Sequence, residues 1–129
     1  MNLERNVNSP ARGEKFIQIY VWVDGVKKPY MRFGRELHLT ILQEFLSASK
    51  IKYDLKKQEE KFLICEKKEG VYELVGAGKQ KLLENKKIGL YEKSYDYNIF
   101  PNKEHLNEIK KYFPYELVLM DFAGENVLE

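Results

Sequence analysis

The run Lys15-Phe16-Ile17-Gln18-Ile19-Tyr20-Val21-Trp22-Val23 constrains this chain most, because its β-branched and aromatic residues alternate over most of its length before Asp24-Gly25 ends it. Such a run is a strand, and Asp-Gly marks the turn that closes it. The fold must therefore be built on a sheet. Further strand signals run through Ile51-Lys52-Tyr53-Asp54-Leu55, Lys61-Phe62-Leu63-Ile64-Cys65, Gly70-Val71-Tyr72-Glu73-Leu74-Val75, Lys87-Ile88-Gly89-Leu90-Tyr91 and Tyr115-Glu116-Leu117-Val118-Leu119-Met120.

Two helices interrupt these strands. From Glu36 to Ala48, Leu37, Ile41, Leu42, Phe45 and Leu46 recur at helical spacing and predict one buried face. A second helix is predicted from Lys103 to Tyr112, capped by Asn102 after Pro101 and stopped before Pro114. The order β-α-β-β-β-β-α-β predicts an α+β fold: a mainly antiparallel (mixed) sheet of about five to six strands with two helices packed on it.

With 129 residues and 43% hydrophobic content, the chain can bury one core. Residues 1–14 are polar and turn-forming and read as a flexible leader, 15–122 as a single domain, and 123–129 as a tail. Twenty-two Lys+Arg against twenty Asp+Glu are too balanced to announce a nucleic acid or a membrane surface. The single cysteine, Cys65, excludes an internal disulfide and a cysteine-based zinc site; it reads as a small buried strand residue in a reducing compartment. No apolar run approaches the roughly 18 residues of a spanning helix, and the N-terminus lacks the apolar stretch of a signal peptide. A soluble, cytoplasmic protein with no membrane partner is expected.

One arrangement looks like chemistry. His38 opens an apolar helix, and an imidazole, with an unperturbed pKa of about 6.5, takes and returns protons near neutral pH. Gly76-Ala77-Gly78-Lys79 would offer bare backbone N–H groups and a cation, which together suit a phosphoryl group. On spacing alone these glycines are equally a plain turn or bulge, and Lys15 and Lys79 solvated strand-end charges. His105 reads as a surface residue on the polar side of the second helix, and Trp22 and the tyrosines as core and sheet-face residues.

Taken in order, Lys15-Phe16-Ile17-Gln18-Ile19, Glu36-Leu37-His38, Leu74-Val75-Gly76-Ala77-Gly78-Lys79, Lys86-Lys87-Ile88 leading to Tyr91 and Ser94, and Ile109-Lys110-Lys111-Tyr112-Phe113-Pro114-Tyr115-Glu116-Leu117-Val118 resemble the janus/ocnus proteins, the protein phosphohistidine phosphatases. The resemblance spans roughly Lys15 to Met120 and is strongest from Val71 onward. It implies metal-independent hydrolysis of the phosphorus–nitrogen bond of phosphohistidine, with phospholysine as a further substrate. The histidine that would do this matches His38, as general base or nucleophile. Lys15, Gly76, Ala77, Gly78, Lys79 and Ser94 match phosphate-site positions, and Glu36 a supporting one. Ala77 replaces a third glycine and Lys79 an arginine of the family pattern, exchanging a bidentate fork for a point charge. The implied partner is a histidine-phosphorylated protein, with no cofactor or metal, and a monomer is expected. General-base chemistry is consistent with this, since a protonated imidazole leaves phosphorus readily and needs mainly an anion cradle and one proton-handling group.

Two other classes compete. Nine tyrosines, seven phenylalanines and many lysines would suit a sheet that grips single-stranded nucleic acid, but Glu59, Glu60, Glu66 and Glu69 break up any single-sign stripe. A member of the same fold that binds phosphate or a phosphorylated protein without turnover is the other.

Overall fold

The computed structural model describes residues 5–128, so the ends of the expected leader and tail, Met1 to Glu4 and Glu129, lie outside the described residues. Its elements are β1 (Lys15–Val23), β2 (Val26–Gly34), α1 (His38–Ala48), β3 (Leu55–Gln58), β4 (Lys61–Ile64), β5 (Lys67–Lys68), β6 (Tyr72–Leu83), β7 (Lys87–Tyr91), α2 (Lys103–Ile109) and β8 (Glu116–Leu119). The fold is α+β. The main sheet runs β2-β1-β6-β7-β8, with β5 added to β6, and all its pairings are antiparallel except the parallel β7–β8 pair. That parallel pair follows from α2, which carries the chain across the sheet between β7 and β8.

Each face of the sheet buries its own core. Ile17, Ile19, Val21, Leu74 and Ala77 pack with Ile41, Leu42, Phe45 and Leu46 of α1 and with Leu63 and Ile64 of the separate β3–β4 hairpin. Phe16, Met31, Phe33, Ile88, Leu90 and Leu117 pack with Leu106 and Ile109 of α2 on the other. The period of two along β1 divides its side chains between these two cores.

Asp24 and Gly25 both have positive φ, 51° and 78°, and close the β1–β2 hairpin. The returning strand β2 has no clear strand signal in the sequence, because Pro29 and three basic residues mask its pattern. It tolerates a proline because it is the edge strand of the main sheet.

The start of the chain is no loose leader in the described residues. Val7 bridges Met31, Asn6 Nδ2 donates to Pro29 O, Asn8 Nδ2 donates to Phe33 O, and Asn8 Oδ1 accepts from Phe33 N. Residues 5–8 thus cover the open edge of β2, a common protection of strand edges. At the other end, Met120 bridges Val127 and Leu128 N–H donates to Leu119 O, so the tail folds back on β8.

Three further expectations are corrected. Residues 51–54 are not a strand: Lys50 has φ 57°, and Ile51 N–H donates to Leu46 O while Lys50 N–H donates to Ser47 O, which is a Schellman cap that tucks Ile51 into the core. The first helix begins at His38, with Leu37 at the N-cap, leaving Glu36 outside it and exposed. Cys65 lies just past β4 and is half-buried rather than buried.

Candidate functional site

A row of paired residues crosses the sheet at one end: Gly34 opposite Lys15, Lys15 opposite Lys79, and Lys79 opposite Tyr91. The chain leaves β2 at Gly34 and enters α1 at His38, so the histidine stands over this row. Its Nε2–H donates to Gly78 O at 2.9 Å, since a carbonyl can only accept. That bond leaves Nδ1 as the basic nitrogen of the neutral ring.

His38 is 7% exposed, and burial lowers its pKa below the ordinary histidine value. The bond to Gly78 O opposes the shift, the Lys15 ammonium adds to it, and the carboxylates of Asp96 and Glu92 oppose it. The ring is therefore neutral at pH 7, as a base must be. Among the described residues Nδ1 has no hydrogen-bond partner, and Tyr97 Oη is the one buried side-chain polar atom without a partner, so Nδ1 is not sealed from solvent.

Lys15 and Lys79 are directly opposed across the β1–β6 ladder and both half-buried. Like charges so placed repel. Lys79 Nζ stands 3.6 Å from a Glu92 carboxylate oxygen, whereas Lys15 has no carboxylate within ion-pair distance among the described residues. Asp96, in the loop after β7, is held by Lys61 at the turn of the β3–β4 hairpin. The first turn of α1 has no side-chain cap, so its peptide N–H groups add positive potential beside His38.

The expected glycine turn is overturned. Gly76, Ala77, Gly78 and Lys79 lie inside β6, paired with Gln18, Ile17, Phe16 and Lys15, and Ala77 N–H donates to Phe100 O at 3.3 Å. Their peptide groups serve the ladder and form no bare cradle. The glycines serve close approach instead. A Cβ on Gly76 would stand 2.2 Å from Gln18 Oε1, and one on Gly78 would stand 2.5 Å from Tyr91 O.

Ser94 is fully buried, and its Oγ closes a turn by accepting from Tyr97 N–H. Glu36 folds toward Gly34 rather than lying on a helix face with His38. Of the predicted site residues, His38, Lys15, Lys79 and the Gly78 carbonyl come together. Glu92 and Asp96 are the charged neighbours that sequence reasoning missed; pairing β7 with β6 would have put Glu92 next to Lys79.

The second histidine is not on the surface. His105 is fully buried, its Nε2–H donating to Ile19 O at 3.1 Å and its Nδ1 accepting from Gln18 Nε2 at 3.2 Å. Gln18 also donates to Asn102 O and accepts from Asn102 N, and Asn102 caps α2 by accepting from His105 N. This saturated network pins the start of α2 to the bulge between Gln18 and Ile19. Burial drives the His105 pKa down to about 4, so its role is structural.

A groove of about 720 Å³ lies elsewhere, between Pro10, Glu14, Arg35, Gln80, Leu82 and Tyr115. It contains no histidine, serine–histidine pair or opposed cations, so size and chemistry disagree; the chemistry decides, and His38 is the candidate. Among the described residues no three His, Cys, Asp or Glu side chains cluster as metal ligands would, and no helix is long and apolar enough to cross a membrane. No family model, curated protein or solved structure matches the chain.

Proposed function

We propose that this chain binds a phosphoryl group between Lys15, Lys79 and the start of α1, and hydrolyses the phosphorus–nitrogen bond of phosphohistidine with His38 as general base. The observation that carries the reading is the directly opposed Lys15–Lys79 pair beside a neutral histidine. Lysines opposite each other in a ladder repel, and the Glu92 carboxylate, 3.6 Å from Lys79 Nζ, offsets that at Lys79 but forms no ion pair with Lys15. In this reading the lysines and the uncapped turn of α1 replace the peptide cradle expected from the glycines.

Nδ1 of His38 takes a proton from a water whose oxygen attacks phosphorus. The phosphorus–nitrogen bond breaks with its electron pair going to the leaving ring, which carries a proton on its other nitrogen and so departs as neutral imidazole, and the resulting phosphate stays between the lysines until released. The bond from Nε2–H to Gly78 O holds the ring and steadies the imidazolium that forms. Burial keeps His38 neutral but also makes it a weaker base, which suits a leaving group that departs easily.

Phosphate release from a histidine-phosphorylated protein, measured in chelator for the wild type and His38→Ala, tests the proposal. A loss of at least about 100-fold in the variant supports it. Undiminished release by the variant removes His38 from the reaction. No release by the wild type, together with phosphate binding, leaves a phosphoryl-binding protein, the reading favoured by the small exposure of His38.

A further inference from the structure

A carboxylate beside an anion site weakens the binding of a simple anion, yet Glu92 stands there. Tyr91, its neighbour, is opposite Lys79 in the β6–β7 ladder, and the Glu92 carboxylate lies 3.6 Å from Lys79 Nζ, outside hydrogen-bond range. No other ion pair or side-chain hydrogen bond holds that carboxylate among the described residues, and its side chain is 21% exposed. Asp96, by contrast, is tied to Lys61. The Glu92 backbone has φ 61°, a conformation that favours glycine or asparagine, and its N–H is anchored to Phe122 O at 3.1 Å. A glutamate at such a position costs stability, as it does at Glu59 in the β3–β4 turn.

We infer that Glu92 is a specificity-determining residue that selects a phosphoryl group carried on a protonated nitrogen over one carried on oxygen. The inference rests on the phosphoryl site proposed above. Lys15 and Lys79 on one side and Glu92 on the other make a mixed-charge site, which fits a ligand that is itself mixed in charge. A phosphoramidate protonated on its leaving group is such a ligand; a phosphate ester is anionic throughout. The Glu92 carboxylate accepts a hydrogen bond from the ring N–H of the phosphoimidazolium and remains ionised. When water attacks phosphorus and His38 takes its proton, the phosphorus–nitrogen electron pair returns to the ring, which departs as neutral imidazole.

The test compares phosphoimidazole with p-nitrophenyl phosphate as substrates for the wild type, Glu92→Gln and Glu92→Gly, with inorganic phosphate binding followed through the NMR signals of the His38 ring. Both variants are expected to lose about 10- to 100-fold in kcat/KM on phosphoimidazole. Their turnover of the ester should not fall, and they should bind phosphate at least as tightly. Glu92→Gly also relieves the backbone and should keep or raise Tm, so lost activity cannot be assigned to lost folding. Equal losses on both substrates, or no loss on either, overturn the inference while leaving the phosphoryl site in place. A wild type whose His38 signals ignore phosphate, and which hydrolyses neither compound, overturns the underlying reading as well.

Discussion

Nε2 of His38 and the carbonyl oxygen of Gly78 are joined at 2.9 Å across 40 residues of sequence. This bond fixes the tautomer of the one histidine that reaches the Lys15–Lys79 row, and it makes the ring's remaining nitrogen the basic one.

Replacing His38 should separate its two roles. His38→Gln keeps a donor for Gly78 O but no base, and should lose about 10²- to 10⁴-fold in phosphate release while its Tm moves little. His38→Ala should lose activity to the same extent and also stability, since a buried carbonyl loses a partner. For the wild type, activity should fall on the acid side as pH drops through a value below the ordinary histidine pKa, because burial shifts His38 downward and only the neutral ring accepts a proton, and it should fall again at higher pH as the leaving ring of the substrate loses its proton. A pH–rate profile of kcat/KM on phosphoimidazole checks the sign.

Lys15 should show opposite effects on binding and on folding. Lys15→Gln removes one of two facing ammonium groups, so the protein without phosphate should be as stable or more stable, by up to about 1 kcal/mol. Its phosphate affinity should fall. Urea denaturation and phosphate titration on the same variant read the two effects; a loss of stability with unchanged binding would make Lys15 a structural residue.

His105 should make the fold acid-sensitive. Its folded pKa of about 4 lies below the ordinary value of about 6.5, so the unfolded chain takes up a proton first as pH falls. The stability linked to His105 is complete above pH 6.5 and is lost as pH falls toward 4, to a total of about 3 kcal/mol. His105→Leu should flatten that part of the pH–stability curve measured by denaturation, while removing one of the two hydrogen bonds of Gln18 Nε2 and the ring's bond to Ile19 O, at a cost of about 1–3 kcal/mol at pH 7.

Gly76→Ala distinguishes a strand glycine from a turn glycine. The added methyl would meet Gln18 Oε1 at 2.2 Å and Asn102 N at 2.9 Å, so the variant should lose about 1–3 kcal/mol in denaturation. In a solvent-exposed turn lacking positive φ the same change would be nearly neutral.

Elements whose signals are local were legible in the sequence. Alternation marks β1, spacing places Ile41, Leu42, Phe45 and Leu46 on the buried face of α1, and Asn102 caps α2 as its position predicts. These features depend on neighbours a few residues away, as does the α+β class that follows from their order. Tertiary structure decided the rest. A glycine signals either an unusual φ or a missing Cβ, and only the packing of Gln18, Asn102 and Tyr91 shows that Gly76 and Gly78 serve the second. Ile51 looks like strand and is a helix cap, because Lys50 turns left-handed after α1. His105 looks polar and is sealed, because β1 presents Gln18 and the Ile19 carbonyl to it across the sheet. The charged row of Lys15 and Lys79, with Glu92 beside it, exists only once strand register is set, and register is a long-range quantity that no local window contains.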